Sequence, residues 1–211
     1  ITNPLEMDES MIHVVEKLNA SEFYRAKFKQ VFYNSHITGQ HVLIAISQFL
    51  LMLNSFDSKY DKVMRHEVGI QFTLQEENGL KLFRKHCESC HSEPLFTNGQ
   101  FENNGLKPDS ELNDIGRMKI TNRKEDSLRF KVPTLRNVQF TFPYMHDGRF
   151  ATLREAVDIH LRGGGDPALG TVDPRLVPRA LSPADEDALL ALLDALTGEP
   201  PLPPWNNWPD R

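Results

Sequence analysis

Two cysteines and a histidine form the clearest cluster in this sequence whose residue types and spacing indicate chemistry. Cys87 and Cys90, the only cysteines of the chain, are separated by two residues, and His91 follows directly. Thiols one helical turn apart can form thioether bonds with the two vinyl groups of one porphyrin, and the next imidazole then lies beneath the iron. The pattern therefore predicts one covalently bound haem c, attached through Cys87 and Cys90, with His91 as an axial ligand.

Two other uses of a cysteine pair fit this sequence less well. A redox disulfide of the thioredoxin type belongs in a βαβ setting, and the chain shows almost none of the period-2 alternation that predicts strands. A structural zinc site would need two further soft ligands, and the sequence offers no third cysteine. The residue types and their spacing therefore favour haem attachment.

The second axial position needs a ligand from a loop well downstream of His91. A haem iron bound to histidine accepts Met, His or Tyr on its other face, or no ligand. Met145 is the candidate, because Pro143 and Gly148 restrain the backbone on either side of it. Met118, in a polar loop, and the adjacent His146 are the alternatives.

Two arginines flank the Met145 segment. The guanidinium groups of Arg136 and Arg149 could bind the haem propionates, since a planar guanidinium pairs well with a carboxylate. Surface salt bridges are the equally open alternative. Apolar residues near the two motifs are expected to line the haem pocket: Leu95, Phe96 and Tyr144.

The elements that must position these groups are predicted to be helices joined by polar loops. Capping residues predict helix starts near residues 8–10 and at Ser21, Thr38, Thr73, Thr152 and Ser182. Thr73 with Glu76, and Thr152 with Glu155, form capping boxes. The helix from Thr73 leads into the cysteine motif, and three glycines, residues 163–165, end the helix from Thr152. The last helix should turn Leu189, Leu190, Leu193 and Leu196 inward.

Charge and hydropathy exclude some classes of function. The chain of 211 residues has 24 basic and 29 acidic residues and no basic block, so a nucleic-acid partner is not expected. The longest apolar run, residues 42–53, is broken by Ser47 and Gln48 and is shorter than the ~20 residues that span a bilayer. We expect it to form a buried, central helix. The first residues lack the features of a signal peptide, and we expect the chain to begin inside a longer protein.

Four segments carry a more specific pattern: residues 83–91 (FRKHCESCH), 94–99 (PLFTNG), 132–138 (VPTLRNV) and 143–150 (PYMHDGRF). Together they resemble the bacterial di-haem cytochrome c peroxidase family, which also includes MauG-type enzymes. The resemblance covers most of residues 72–198 and implies the electron-transferring, C-terminal haem domain of such a peroxidase. It also implies an all-α, cytochrome c-like fold with His91 and Met145 as axial ligands. MauG-type members have Tyr at the Met145 position, so Met145 favours the peroxidase branch.

A second motif, residues 3–7 (NPLEM), resembles a family segment whose glutamate lies over the other, peroxidatic haem. The resemblance implies that Glu6 acts as the acid/base on bound peroxide. Cleavage of the O–O bond requires a proton to move from one oxygen to the other, and a carboxylate above the iron can transfer it. Without the resemblance, Glu6 would be interpreted as a solvated residue near a frayed terminus.

The chain also departs from the family pattern. It lacks a second, upstream C-x-x-C-H motif and the tryptophan that lies between the two haems, since Trp205 and Trp208 are in the tail. We therefore predict three parts. Residues 1–71 complete or contact the missing N-terminal haem domain, residues 72–198 are the cytochrome c-like domain, and residues 199–211 are a proline-rich tail.

The resemblance implies partners and surroundings as well. The implied substrate is hydrogen peroxide, and the implied partners are a small electron-donor protein (cytochrome c or cupredoxin) and the N-terminal haem domain. The resemblance also implies a homodimer in the periplasm. It also implies calcium between the two domains, bound partly through backbone carbonyls that leave no signature in the sequence. The alternative function is a mono-haem, electron-transfer cytochrome without peroxidase activity.

Overall fold

The computed structural model describes residues 1–4, 6–53 and 55–198, and these residues are mostly helical, as predicted. Their eight helices are α1 (Met11–Ala20), α2 (Glu22–Phe32), α3 (Gly39–Met52), α4 (Lys59–Met64), α5 (Leu74–His86), α6 (Met118–Thr121), α7 (Leu153–Leu161) and α8 (Pro183–Ala195). Within the same residues the only sheet pairs β1 (Phe101–Glu102) with β2 (Phe130–Lys131), antiparallel. In this part of the chain no helix combines the length and the apolar character needed to cross a membrane. The chain divides after residue 54 into two compact units.

The first unit contains α1, α2 and α3, which start at the predicted caps. The hydroxyls of Ser10, Ser21 and Thr38 each accept a backbone N–H of the first helical turn. The expectation that α3 is buried was wrong: only Val42 of this helix is buried, and Leu50 and Met52 are 60% and 66% exposed. The other two helices of this unit, α1 and α2, are too few to cover every side of α3, which is apolar on nearly all of its surface.

The core of the second unit lies between α5 and α8. The close approach of these helices depends on Gly79, because a Cβ at this position would lie 2.0 Å from the carbonyl oxygen of Ala188. The large side chains of this core are Tyr60, Leu80, Phe83, Phe96, Val138, Leu161, Leu189, Leu192, Leu193 and Leu196. Leu192 therefore takes the inward position that the sequence assigned to Leu190.

Capping boxes start α4, α5, α7 and α8 of this unit. In α5, α7 and α8 the predicted residues Thr73, Thr152 and Ser182 each accept the backbone N–H three positions on, and the acidic side chain at that position returns a bond. Pro183 occupies the first turn of α8, where its missing N–H leaves no bond unmade. Local chemistry thus explains where α5, α7 and α8 begin, whereas the single-turn helix α6 has no side-chain cap.

The compact units divide earlier than the boundary predicted at residue 72. The reason is α4, whose Tyr60 is 3% exposed and packs edge-on against Phe96 at 4.8 Å between ring centroids. Residues 55–71 therefore belong to the second unit by their packing. The predicted proline-rich tail lies outside the described residues.

We expect Gly79→Ala to lower the free energy of unfolding by about 1–3 kcal/mol, as overpacking of a core does. In an exposed helix the same change would add about 1 kcal/mol of stability, so the sign of the effect tests the packing. Urea unfolding followed by circular dichroism measures it. Asn78→Ala, at the exposed neighbouring position of α5, is the control and should be neutral or stabilising. A stabilised Gly79→Ala protein would contradict the close α5–α8 contact.

Candidate functional site

The cysteine motif follows the end of α5 directly as a hydrogen-bonded turn, with Cys87 as the C-cap of the helix. The carbonyl of Cys87 accepts the backbone N–H groups of Cys90 at 3.1 Å and His91 at 2.9 Å. Both cysteines are free thiols and are partly buried. The turn therefore holds the two sulfur atoms and the imidazole on one short, ordered segment, as their spacing predicted.

The thiols of this turn lack the character of redox-active cysteines. Burial raises the pKa of the Cys87 thiol to about 11, and burial also raises the pKa of Cys90. Redox-active pairs instead contain a thiol whose pKa is lowered, because the thiolate is the reacting form. The environment disfavours the disulfide-exchange alternative.

His91 is held as a neutral imidazole with a defined orientation. Its Nδ1 lies 3.1 Å from the carbonyl oxygen of Phe96, which can only accept a hydrogen bond. The proton is therefore on Nδ1, and the lone pair is on Nε2. Burial lowers the pKa of His91 to about 4, so the imidazole is neutral at pH 7 and able to bind a metal.

Phe96 orients His91 through its backbone. Its ring is completely buried, between Tyr60 and Phe83, whose ring centroids lie 4.8 and 5.4 Å away. Its backbone has φ 54°, in the left-handed region, and its carbonyl also accepts the N–H of Leu135 at 3.3 Å. Phe96 was expected to line a pocket. The structure shows a core residue whose carbonyl fixes the histidine, a role that the sequence pattern does not reveal.

Arg136 connects the loop that contains Pro94 and Phe96 to the core of the second unit. Its guanidinium forms two 2.8 Å bonds with the carboxylate of Asp61, and its remaining N–H groups donate to the carbonyls of Pro94 and Ser55. Both partners of the ion pair are about 90% buried. All five N–H donors of Arg136 are thus used by protein groups. The carboxylate it binds here is Asp61, and a role with a haem propionate stays a prediction.

Met145 lies in a tight loop closed by backbone bonds between Tyr144 and Phe150. It has φ 74°, a left-handed conformation that a residue with a side chain seldom adopts. Its partly buried sulfur accepts a hydrogen bond from the Asn104 side-chain amide at 3.5 Å. The loop thus holds a thioether in a constrained and unusual backbone setting.

The two alternatives to Met145 are placed differently. The imidazole of His146 stacks on Phe130, with 3.6 Å between ring centroids, and its Nε2 lies 3.9 Å from the carboxylate of Asp147. Burial lowers the pKa of His146. Met118 begins the single-turn helix α6. His146 is thus already engaged by an aromatic ring.

Arg149 binds Asp147 in the same loop. Its guanidinium donates to the Asp147 carboxylate, from Nε at 2.8 Å, and to the carbonyl of Lys107 at 2.7 Å. Asp147 is almost fully buried, and the hydrogen bond from Arg149 lowers its pKa. The predicted propionate contact of Arg149 stays a prediction.

Glu6 belongs to the first unit. Its backbone N–H donates to the carbonyl of Asn3, and its side chain is 63% exposed. Leu5 of the same motif lies outside the described residues. The catalytic role of Glu6 stays a prediction.

A charged cluster beside the cysteine motif was missed by the sequence analysis. Arg175 donates to the carbonyl of Ser89 at 3.1 Å and to the carboxylates of Glu102 and Asp173. Hydrogen bonding to Arg175 lowers the pKa of Asp173 to about 2, whereas burial, with Asp173 next to it, raises the pKa of Glu102. Asp173 and Arg175 are neighbours in sequence, but Glu102 and Ser89 lie 73 and 86 positions from Arg175, so only the folded chain shows that this cluster contacts the cysteine turn.

The donor set fits a covalently attached haem. It consists of two uncharged thiols on one turn, a neutral imidazole with an available Nε2, and a constrained thioether on a separate loop. Cys87 and Cys90 would hold the porphyrin, and His91 and Met145 would bind its iron.

Comparison with known proteins connects this geometry to a family. The family model described as di-haem cytochrome c peroxidase matches residues 1–69, ahead of the cysteine motif. The chain is 35% identical to the cytochrome c551 peroxidase of Nitrosomonas europaea, over 98% of this chain and 61% of that protein. It is 34% identical to the cytochrome c peroxidase Ccp of Escherichia coli K12, over 93% of this chain and 41% of that protein. The chain thus spans about half the length of these relatives.

A solved structure agrees with the sequence relationships. The crystal structure of a MauG-like protein associated with microbial copper homeostasis is similar, with a TM-score of 0.74 and 30% identity, over 90% of this chain and 62% of that one. This likeness confirms the predicted all-α, cytochrome c-like fold. The chain belongs to the family of di-haem cytochrome c peroxidases and MauG proteins.

Proposed function

We propose that this chain is the electron-transferring haem c part of a di-haem peroxidase that reduces hydrogen peroxide to water. The observation that carries the proposal is the cysteine turn, with the Nδ1 of His91 bound to the carbonyl of Phe96 and its Nε2 left as a ligand. The names of the peroxidase relatives support the reaction.

Bound haem c supplies a one-electron redox centre. The sulfur atoms of Cys87 and Cys90 would hold it permanently, and the imidazole of His91 would bind its iron through Nε2. Met145 would supply the second axial ligand, and a thioether favours the reduced iron and so a high potential. This ligand pair suits a centre that accepts electrons from a donor protein.

Glu6 would transfer protons at the peroxide. Its carboxylate would take the proton from one peroxide oxygen and deliver it to the other, which leaves as water when the O–O bond breaks. Two electrons from the donor protein and two protons from solvent would convert the remaining oxygen to the second water. The position of Glu6 within the stretch matched by the family model supports this assignment.

The surroundings of the site are also proposals. We propose a small cytochrome c or cupredoxin as electron donor, an N-terminal haem domain, a homodimer, calcium between the haem domains, and a periplasmic location, where c-type haem is attached. The exposed apolar side chains of α3, among them Leu43, Leu50 and Met52, support contact with a further domain.

We expect one covalently bound haem per chain when the chain is produced in a bacterium with c-type haem maturation. Intact mass and the pyridine haemochrome assay measure it. The Cys87→Ser/Cys90→Ser double variant is the control and should contain no covalent haem. A wild-type chain that leaves maturation with two free thiols would refute the proposal.

Met145→Ala should remove the absorption band of the sulfur–iron bond in the near infrared and lower the midpoint potential. The reason is that the thioether stabilises reduced iron. Absorption spectra and a redox titration measure the two effects. Met118→Leu is the matched control and should keep the band. If Met145→Ala keeps the band and Met118→Leu loses it, Met118 is the ligand. If the Met145→Ala spectrum matches that of the parent and changes only when His146 is replaced as well, His146 is the axial ligand.

Glu6→Gln should slow peroxide turnover by about 10²- to 10⁴-fold in protein that includes the peroxidatic haem domain, because the amide cannot transfer the proton. Steady-state kinetics with a reduced donor measure this effect, and the spectrum of the haem bound by His91 should not change. Glu9→Gln is the control, since Glu9 is a nearby carboxylate already bound by His13 and Lys17. Equal turnover of both variants would contradict the role of Glu6. Native protein with one haem and no turnover would favour an electron-transfer cytochrome.

A further inference from the structure

Asn104 contacts the sulfur atom of Met145 with an amide group whose orientation is defined. Its Nδ2 lies 3.5 Å from the Met145 sulfur, and its Oδ1 accepts the backbone N–H of Leu106 at 3.4 Å. A backbone N–H can only donate, so the amide oxygen must face Leu106 and the NH₂ group must face the sulfur. The amide therefore acts as a hydrogen-bond donor to the thioether.

The backbone of Asn104 is held by the loop that follows α7. The carbonyl of Asn104 accepts the N–H of Gly165 at 3.0 Å. A Cβ on Gly164, which has φ +86°, would lie 2.5 Å from that carbonyl oxygen, and a Cβ on Gly165 would lie 2.1 Å from the carbonyl oxygen of Gly105. These glycines thus do more than end a helix, because they allow two backbones to approach closely enough to fix Asn104.

The neighbouring asparagine holds the same segment from its other side. Asn103 is 2% exposed, its side chain donates to the hydroxyl of Thr171 at 2.7 Å, and its Oδ1 accepts the N–H of Gly105 at 2.8 Å. Its carbonyl accepts the N–H of Asp173 at 3.0 Å. The donor at Asn104 therefore sits on a segment that is restrained on both sides.

We propose that Asn104 is a positioning residue for Met145, whose amide occupies one lone pair of the sulfur and directs the other toward the haem iron. The inference rests on the proposed function, in which Met145 is an axial ligand. A thioether is a weak, neutral ligand on a flexible side chain, and Met145 also has an uncommon left-handed backbone. A fixed donor keeps such a sulfur in its binding position and limits its replacement by other ligands.

Competition with free imidazole tests the proposal in the haem-loaded protein. Imidazole is titrated into the oxidised protein at about pH 8, and loss of the sulfur–iron band measures displacement of the thioether. Asn104→Leu should bind imidazole about 3- to 10-fold more tightly than the parent, which is the effect of one lost hydrogen bond. Asn104→Asp should do the same, because the ionised carboxylate keeps the bond to the Leu106 N–H but cannot donate to sulfur.

Two further variants separate the explanations. Asn103→Asp is the comparison variant: it loosens the segment that fixes Asn104 but keeps the amide donor itself, so imidazole affinity should rise by less than in either Asn104 variant. An equal increase in Asn103→Asp would mean that loosening of the segment, and not the donor, causes the effect, and would overturn the inference.

Met145→Ala distinguishes failure of this inference from failure of the proposed function. If Met145→Ala loses the band while both Asn104 variants bind imidazole as the parent does, Met145 is the ligand and Asn104 does not position it. If Met145→Ala keeps the band, the proposed ligand is wrong, and the role of Asn104 fails with it.

Discussion

The hydrogen bond between Nδ1 of His91 and the carbonyl of Phe96 is the contact on which the candidate site depends. It selects the tautomer that leaves Nε2 available, and it is possible only because the ring of Phe96 is anchored in the core. The loop that carries this carbonyl is held in turn by Arg136 and the buried carboxylate of Asp61. Removing one member of a buried pair of this kind costs about 3–5 kcal/mol, so the loop is firmly fixed.

The two candidate ligands are supported in different ways. His91 lies on the turn that directly follows α5 and is oriented by the carbonyl of Phe96, so its support is mostly local in sequence. Met145 depends on partners that are distant in the chain, namely Asn104 and, through it, Gly164 and Gly165. A strong ligand with local support and a weaker ligand with long-range support would make the methionine side the more adjustable part of the site.

Much of the fold could be predicted because its helices begin with local chemistry. A hydroxyl at the cap and an acidic side chain three residues on satisfy free backbone N–H groups wherever they occur, so Thr73, Thr152 and Ser182 could be assigned without tertiary information. Burial was harder to predict. The apolar character of α3 predicted a buried helix, but only Val42 of α3 is buried. Burial depends on what surrounds a helix, which its own residue types do not show. The same limitation applies to Phe96, whose apolar side chain did not reveal the use of its carbonyl.

The sequence by itself determined the helix starts that have a side-chain cap, the spacing of Cys87, Cys90 and His91 on one turn, and the candidate thioether, because each depends on residues within one or two helical turns. Only the tertiary structure decided the tautomer of His91, the pairing of Arg136 with Asp61, and the contact between Asn104 and Met145. The contacts of Arg136 with Asp61 and of Asn104 with Met145 join residues 75 and 41 positions apart, and the short-range bond from His91 to Phe96 depends on the burial of Phe96 in the core. Their geometry follows from how loops close over a packed core, and no local pattern of residue types contains that information.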